Sequence, residues 1–312
     1  MSRLLDVFDE LRETQAELGH LEGVVAAHPE YESLTLDLMS IQKRQNSLQA
    51  EFQKLTNEKH VDIVSYRIIP NSSSRVPLRA MTTTLDRFQA AVSTVYDAVK
   101  NGVKKRAKLS AEASSQSGFD FAYTFSGSLG VVLTVPNERL LFGDSNLDRA
   151  VEMFFTGAHA TNRDAIVEFA RVAGISSVRR LYEWSKAHSS YDTSADIQLR
   201  RDVQIRQELA VEAPDLAILQ GIIEETSDVE EDDVVISGDL VGLDTDLETF
   251  HIVVPDADAD DIQGGWASDF HYDLDIQLNV RYQAFLTKKT ITYYAYDKEE
   301  TKWLLKSLRR DG

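Results

Sequence analysis

The sequence predicts an α+β protein: an N-terminal antiparallel coiled-coil hairpin, a central α+β domain and a small C-terminal β-barrel-like domain. Three observations predict it. Apolar residues recur by fours and threes through residues 1–58. Helical and strand-like segments then mix through 59–226. From 227 to 312 the pattern turns to strand–turn–strand, with a last helical stretch.

In the first part, Leu34, Leu38, Ile41, Gln45, Leu48, Phe52 and Leu55 form a heptad seam. Leu4, Leu11, Leu18 and Val25 recur every seven residues upstream, with Phe8 between the first two. Pro29 separates the two runs, which therefore fold back on each other. Gln15 and Gln45 fall on the seams at similar distances from the turn, where a polar residue fixes register.

The central part opens with the β-branched run VDIVSYRIIP, a strand ended by proline. Leu85, Phe88, Ala91, Val92, Val95, Tyr96 and Val99 then repeat at helical spacing, with threonines available as N-caps. Strands are expected near 119–125 and 129–135, helices near 145–157, 161–172 and 175–187, a short strand at SADIQLRR, and a helix at APDLAILQGIIEETSD. SDVEEDD reads as an acidic connector. Beyond it, VVISGDLVGLD, TFHIVVPD, DIQGGWA, LDIQLNVRYQAFLT and TITYYAYD read as strands, and KEETKWLLKSLRR as a closing helix.

The most chemical-looking stretch is FAYTFSGSLGVVLTVP. A phosphate-binding P-loop needs a lysine after its last glycine, and Val131 follows Gly130 here. A nucleophile elbow needs glycine where Ser126 stands and a helix where VVLTVP runs. The segment therefore reads as a turn between two strands, and Ser128 is not a nucleophile. No motif assigns a catalytic residue or a cofactor.

Other features carry weaker chemistry. Asp256, Asp258 and Asp260 alternate in an acidic loop, but Asp261 and Ala267 stand where a calcium loop wants glycine and glutamate. Those aspartates are the weak metal candidate, and with Glu300-Thr301-Lys302 they support a metal-dependent nuclease or hydrolase only as an alternative. The seven histidines show no i, i+4 pair. Lys104, Lys105, Arg106 and Lys108 form a basic island at a helix end. It either complements the helix dipole or contacts a partner or nucleic acid.

A net charge of −18 opposes nucleic-acid approach, so a nucleic-acid-binding sensor is a second alternative. Cysteine is absent, which excludes thiolate catalysis and cysteine-ligated metals. The first residues are charged throughout and do not read as a signal peptide. No apolar run reaches the roughly 18 residues of a membrane helix. A cytoplasmic protein is expected.

The coiled-coil start, the SGSLGVVLTV strand pair and the C-terminal GDLVGLDTDLETFHIVV, IQGGW and VRYQAFL segments together resemble a set of uncharacterised bacterial proteins, some encoded near anti-phage defence genes. The resemblance covers most of the chain in pattern and brings no catalytic motif. It implies a component of a multiprotein defence system. The expectation is a non-enzymatic assembly subunit that associates through its coiled coil, with itself, with another protein subunit, or with both.

Overall fold

The computed structural model describes residues 2–28, 31–72, 75–104, 109–125, 129–137, 143–201, 204–255, 261–267, 270, 276–296 and 298–310. The chain is mixed α+β, with eight helices and two sheets among the described residues. It divides into two compact units, 1–223 and 224–312.

The first unit begins with helices α1 (Ser2–Ala27) and α2 (Glu32–Lys59), packed together as a hairpin. They run antiparallel. Arg3 donates to both carboxylate oxygens of Glu51 at 2.8 and 3.0 Å, Arg44 lies 3.6 Å from Glu10, and the Phe8 and Phe52 rings stand 5.4 Å apart. His60 ends α2 in the left-handed region (φ 51°), and β1 (Val61–Pro70) follows at once.

A five-stranded antiparallel sheet carries the unit, in the order β2-β3-β1-β4-β5. Its strands are β1, β2 (Asp120–Phe125), β3 (Leu129–Pro136), β4 (Thr193–Arg201) and β5 (Gln204–Val211). Strand alternation divides its side chains between two covers. Val61, Ile63 and Val132 join Leu4, Val7, Phe8, Leu48 and Phe52 in one buried cluster, so one face is roofed by the hairpin.

The other face is roofed by helices α3 (Leu78–Asn101), α5 (Asn146–Ala158) and α7 (Ile175–Ser189), with α6 (Arg163–Ala173) packed on α5 and α7 and short α4 (Ala111–Gln116) beside α3. Tyr66 of β1 starts an aromatic chain there. It meets Phe88 at 5.0 Å, Phe88 meets Phe154 at 5.6 Å, and Phe154 meets Trp184 at 5.1 Å. Ser145 and Asp148 close a capping box on α5, and Asn162 caps α6. At the start of α7, Gly174 has φ 87°, and a Cβ there would press on the Lys104 carbonyl at 2.9 Å. Helix α8 (Ala213–Glu224) ends the unit.

Two expectations within this unit are corrected. The threonines do not cap α3, which starts earlier, at Leu78 behind Pro77. Thr82 and Thr84 lie inside it and donate to the Leu78 and Ala80 carbonyls. The polar stretch QIRQELAV, given no element from sequence, is strand β5, at the end of the sheet order and exposed along most of its length.

In the second unit five strands close into a ring in the order β10-β8-β7-β6-β9, with β9 pairing back to β10. They are β6 (Ser227–Asp244), β7 (Thr249–Val253), β8 (Ile262–Trp266), β9 (Val280–Tyr293) and β10 (Glu299–Arg310). Leu240, Phe250, Ile252, Ala284, Leu286 and Leu305 fill its core. Gly264 lets β8 approach β10, because a Cβ there would overlap the Trp303 carbonyl.

Three readings of this unit change. The expected closing helix at 298–310 is strand β10, paired along its length with β9. The acidic connector is the first half of β6, where Lys289 pairs with Glu231 and Lys306 with Asp233, each at 2.7 Å. The two strands expected at 274–287 and 290–297 are replaced by the single strand β9. No described helix is long and apolar enough to cross a membrane.

Candidate functional site

The seam predicted on α2 is the less exposed stripe of that helix, but its burial is graded. Leu48 and Phe52 are buried, while Leu34, Leu38, Ile41, Gln45 and Leu55 are half-buried. The cluster that joins hairpin to sheet takes in Leu11 on α1 and Leu48 on α2. Towards the turn, Leu18, Leu21, Val24 and Val25 on α1 are also half-buried. Leu36 and Met39, three residues apart on α2, are 67% and 60% exposed. On α1 the buried seam position is Thr14, whose hydroxyl donates to the Glu10 carbonyl, and Gln15 is exposed.

Gln15 instead lines a cavity of about 160 Å³ between the hairpin root and the sheet. Phe8, Leu11 and Phe52 make its apolar wall, and Arg12, Arg67, Arg200, Asp196, Ser65, Gln49 and Gln198 its polar one. Arg12 lies 3.4 Å from Asp9 and 6.0 Å from the Tyr123 ring centre, and Arg67 lies 3.9 Å from Asp196. Arg200 differs. Its guanidinium donates to the amide oxygen of Gln198 at 2.9 Å, and among the described residues no carboxylate is within ion-pair distance of it. Burial lowers its pKa, and Glu208, acting through space, only partly offsets that. No residue-level motif marks these side chains. The signal was alternation: Ser65 and Arg67 on one strand, and Asp196, Gln198 and Arg200 on the other, set polar groups on one face of otherwise apolar strands.

The opposite face holds polar groups too, and its charged ones are tied into pairs. Arg201 donates to Asp62 at 2.9 Å and to Asp148 at 2.6 Å, with both carboxylates buried. Asn137 donates to Asp62 at 2.5 Å. Burial alone would raise the Asp148 pKa, but bonds from Arg201 and Ser145 outweigh it and hold the carboxyl below its ordinary range.

Nearby, Trp184 Nε1 donates to the Tyr66 hydroxyl at 2.8 Å, and the Tyr66 hydroxyl lies 2.6 Å from His188 Nε2. Indole can only donate, so Tyr66 accepts from it; the Thr193 carbonyl beside His188 Nδ1 can only accept, which leaves Nε2 to accept from the Tyr66 hydroxyl. His188 is then neutral, protonated on Nδ1, which faces the Thr193 carbonyl at 3.2 Å. Burial pushes the His188 pKa down to about 4, and raises that of Tyr66.

Few of the remaining sequence candidates fall among the described residues. Lys104 forms an ion pair with the buried carboxylate of Asp97, which also accepts from Asn101 and Ser110. Lys105, Arg106 and Lys108 lie outside the described residues, as do Ser126–Ser128 and Asp256, Asp258 and Asp260. Strands β2 and β3 flank that serine segment in antiparallel register, Phe125 opposite Gly130. Glu300 and Lys302 lie within strand β10, where Glu300 accepts from Tyr293 and is 3.6 Å from Lys302. No group of three or more metal-ligating side chains occurs among the described residues.

Comparison with protein-family models, with curated proteins and with solved structures gives no match.

Proposed function

We propose that this protein is a non-enzymatic interaction subunit that associates through the distal half of its hairpin, acting as a coiled-coil arm. The observation that carries the reading is the graded seam: buried at Leu48 and Phe52, half-open at Leu34, Leu38 and Ile41, with exposed Leu36 and Met39 beside it. A pair of helices leaves its seam open on both flanks, and a second pair closes it.

The occupant proposed is a second copy of the hairpin. Residues 13–27 carry Glu13, Glu17 and Glu22 and no lysine or arginine, a charge of −3. Residues 34–48 carry Asp37 against Lys43 and Arg44, a charge of +1. A two-fold pairing that sets one copy's α1 against the other's α2 is therefore charge-complementary. The wider role in a bacterial multiprotein assembly, of the anti-phage kind, extends the same reading.

The test is mass in solution. Removing residues 1–58 is unsuitable, because the hairpin root belongs to the core over β1 and β3. The double variant Leu38→Glu, Ile41→Glu leaves that root intact. Light scattering on the eluting protein should give a dimer for the parent chain and a monomer for the variant. A monomeric parent chain whose hairpin instead captures a different subunit overturns the choice of occupant. An unchanged oligomer in the variant overturns the role of the arm.

A further inference from the structure

We propose that the cavity at the hairpin root binds a small organic anion, with Arg200 holding the anionic group and Phe8, Leu11 and Phe52 holding an apolar body. Its lining carries three arginines against one aspartate, a local charge of +2 in a chain whose total is −18. Such a concentration of guanidinium groups, half enclosed, runs against the field of the rest of the molecule.

Arg12 and Arg67 each have an acid nearby, Asp9 and Asp196. Arg200 has only a neutral amide, although its place between two layers partly removes it from water. A desolvated guanidinium gains most from a carboxylate or phosphate, which it meets with two parallel hydrogen bonds. The fork is planar, and it lines the same cavity as the apolar wall.

The occupant's size and shape follow from the walls. About 160 Å³ admits a body of roughly ten non-hydrogen atoms. The apolar wall is aromatic and aliphatic, which suits a ring or a short branched chain rather than a bare inorganic ion. Gln15, Gln49 and Gln198 offer amides that can bond further polar atoms of the ligand. The walls come from both the hairpin and the sheet. A bound anion therefore bridges the two layers and stabilises the folded chain by mass action.

The experiment follows thermal unfolding of the full chain with four probes: benzoate, phenylphosphate, neutral benzamide and inorganic phosphate. Benzoate or phenylphosphate should raise the midpoint by about 2–4 °C at several times its dissociation constant. Benzamide and inorganic phosphate should not. Whichever organic anion acts more strongly identifies the anionic group. Arg200→Gln should abolish the rise, and Arg200→Lys, which keeps the charge, should retain part of it. Gln15→Glu places a negative charge at the cavity rim without touching the core, and should weaken the response if Arg200→Gln fails to fold. Four results would each overturn the proposal: no rise with either organic anion, an equal rise with benzamide, an equal rise with inorganic phosphate, or a rise undiminished in both variants.

Discussion

The two faces of the five-stranded sheet use the same strands and comparable polar residues to opposite ends. On the face under α3, α5 and α7, Arg201 is clasped by Asp62 and Asp148, and Tyr66, Trp184, His188 and Thr193 form one connected network. On the face under the hairpin, Arg200, the next residue of the same strand, meets only an amide beside a cavity. Neighbouring arginines thus divide into one that closes the architecture and one that is left to bind. Buried charges paired within their own chain hold a fold together, and a half-buried cation left short of charge marks a place for something else.

The largest expected effect comes from breaking the paired charges on the face under α3, α5 and α7. Arg201→Gln leaves two buried carboxylates facing each other without their cation and should cost about 3–5 kcal/mol in urea unfolding. A smaller effect is reached through pH. The folded pKa of His188 is about 4, below its ordinary 6.5, so its contribution is complete above the unfolded value. As pH falls from 6.5 towards 4 the unfolded chain takes up a proton that the folded chain refuses. Stability should drop by on the order of 3 kcal/mol across that window. Asp148, held below its ordinary range, loses its contribution in the same direction as pH falls through its folded value. In His188→Gln the slope between pH 6.5 and 4 should flatten, which unfolding curves at several pH values would record. The smallest effect is on the open face. Arg200→Gln should change stability by no more than about 1 kcal/mol, since it removes one neutral-acceptor bond and relieves a desolvated charge. If Arg200→Gln costs as much as Arg201→Gln, the contrast between the faces is wrong.

Much of the scaffold was legible because its signals are local. The hairpin seam repeats within each helix, and α5, α6 and α7 fall where the sequence predicts helices, near 145–157, 161–172 and 175–187. What failed was edge and charge. Strand β5 is polar because it is mostly exposed, and the acidic half of β6 is a strand because it pairs along its length with β9, with Lys289 and Lys306 on its carboxylates. KEETKWLLKSLRR has the composition of a helix, yet pairing with β9 overrides that preference. The cavity was not legible as a site. Its walls come from residues as far apart as Phe8 and Arg200, and only a folded chain brings them within reach. The alternation of polar residues on β1 and β4 was present, but nothing in the sequence says that the hairpin would cover that face.

The central claim is that the tip of the hairpin associates and its root does not. A chain without cysteine allows a direct test, because any introduced thiol is unique. Met39→Cys places it on the exposed flank of the tip, and Lys54→Cys on the exposed side of the root. Treated with a short bis-maleimide, Met39→Cys should give a covalent dimer at low protein concentration and Lys54→Cys should remain monomeric. Equal cross-linking at both positions, or none at Met39→Cys, would contradict the account.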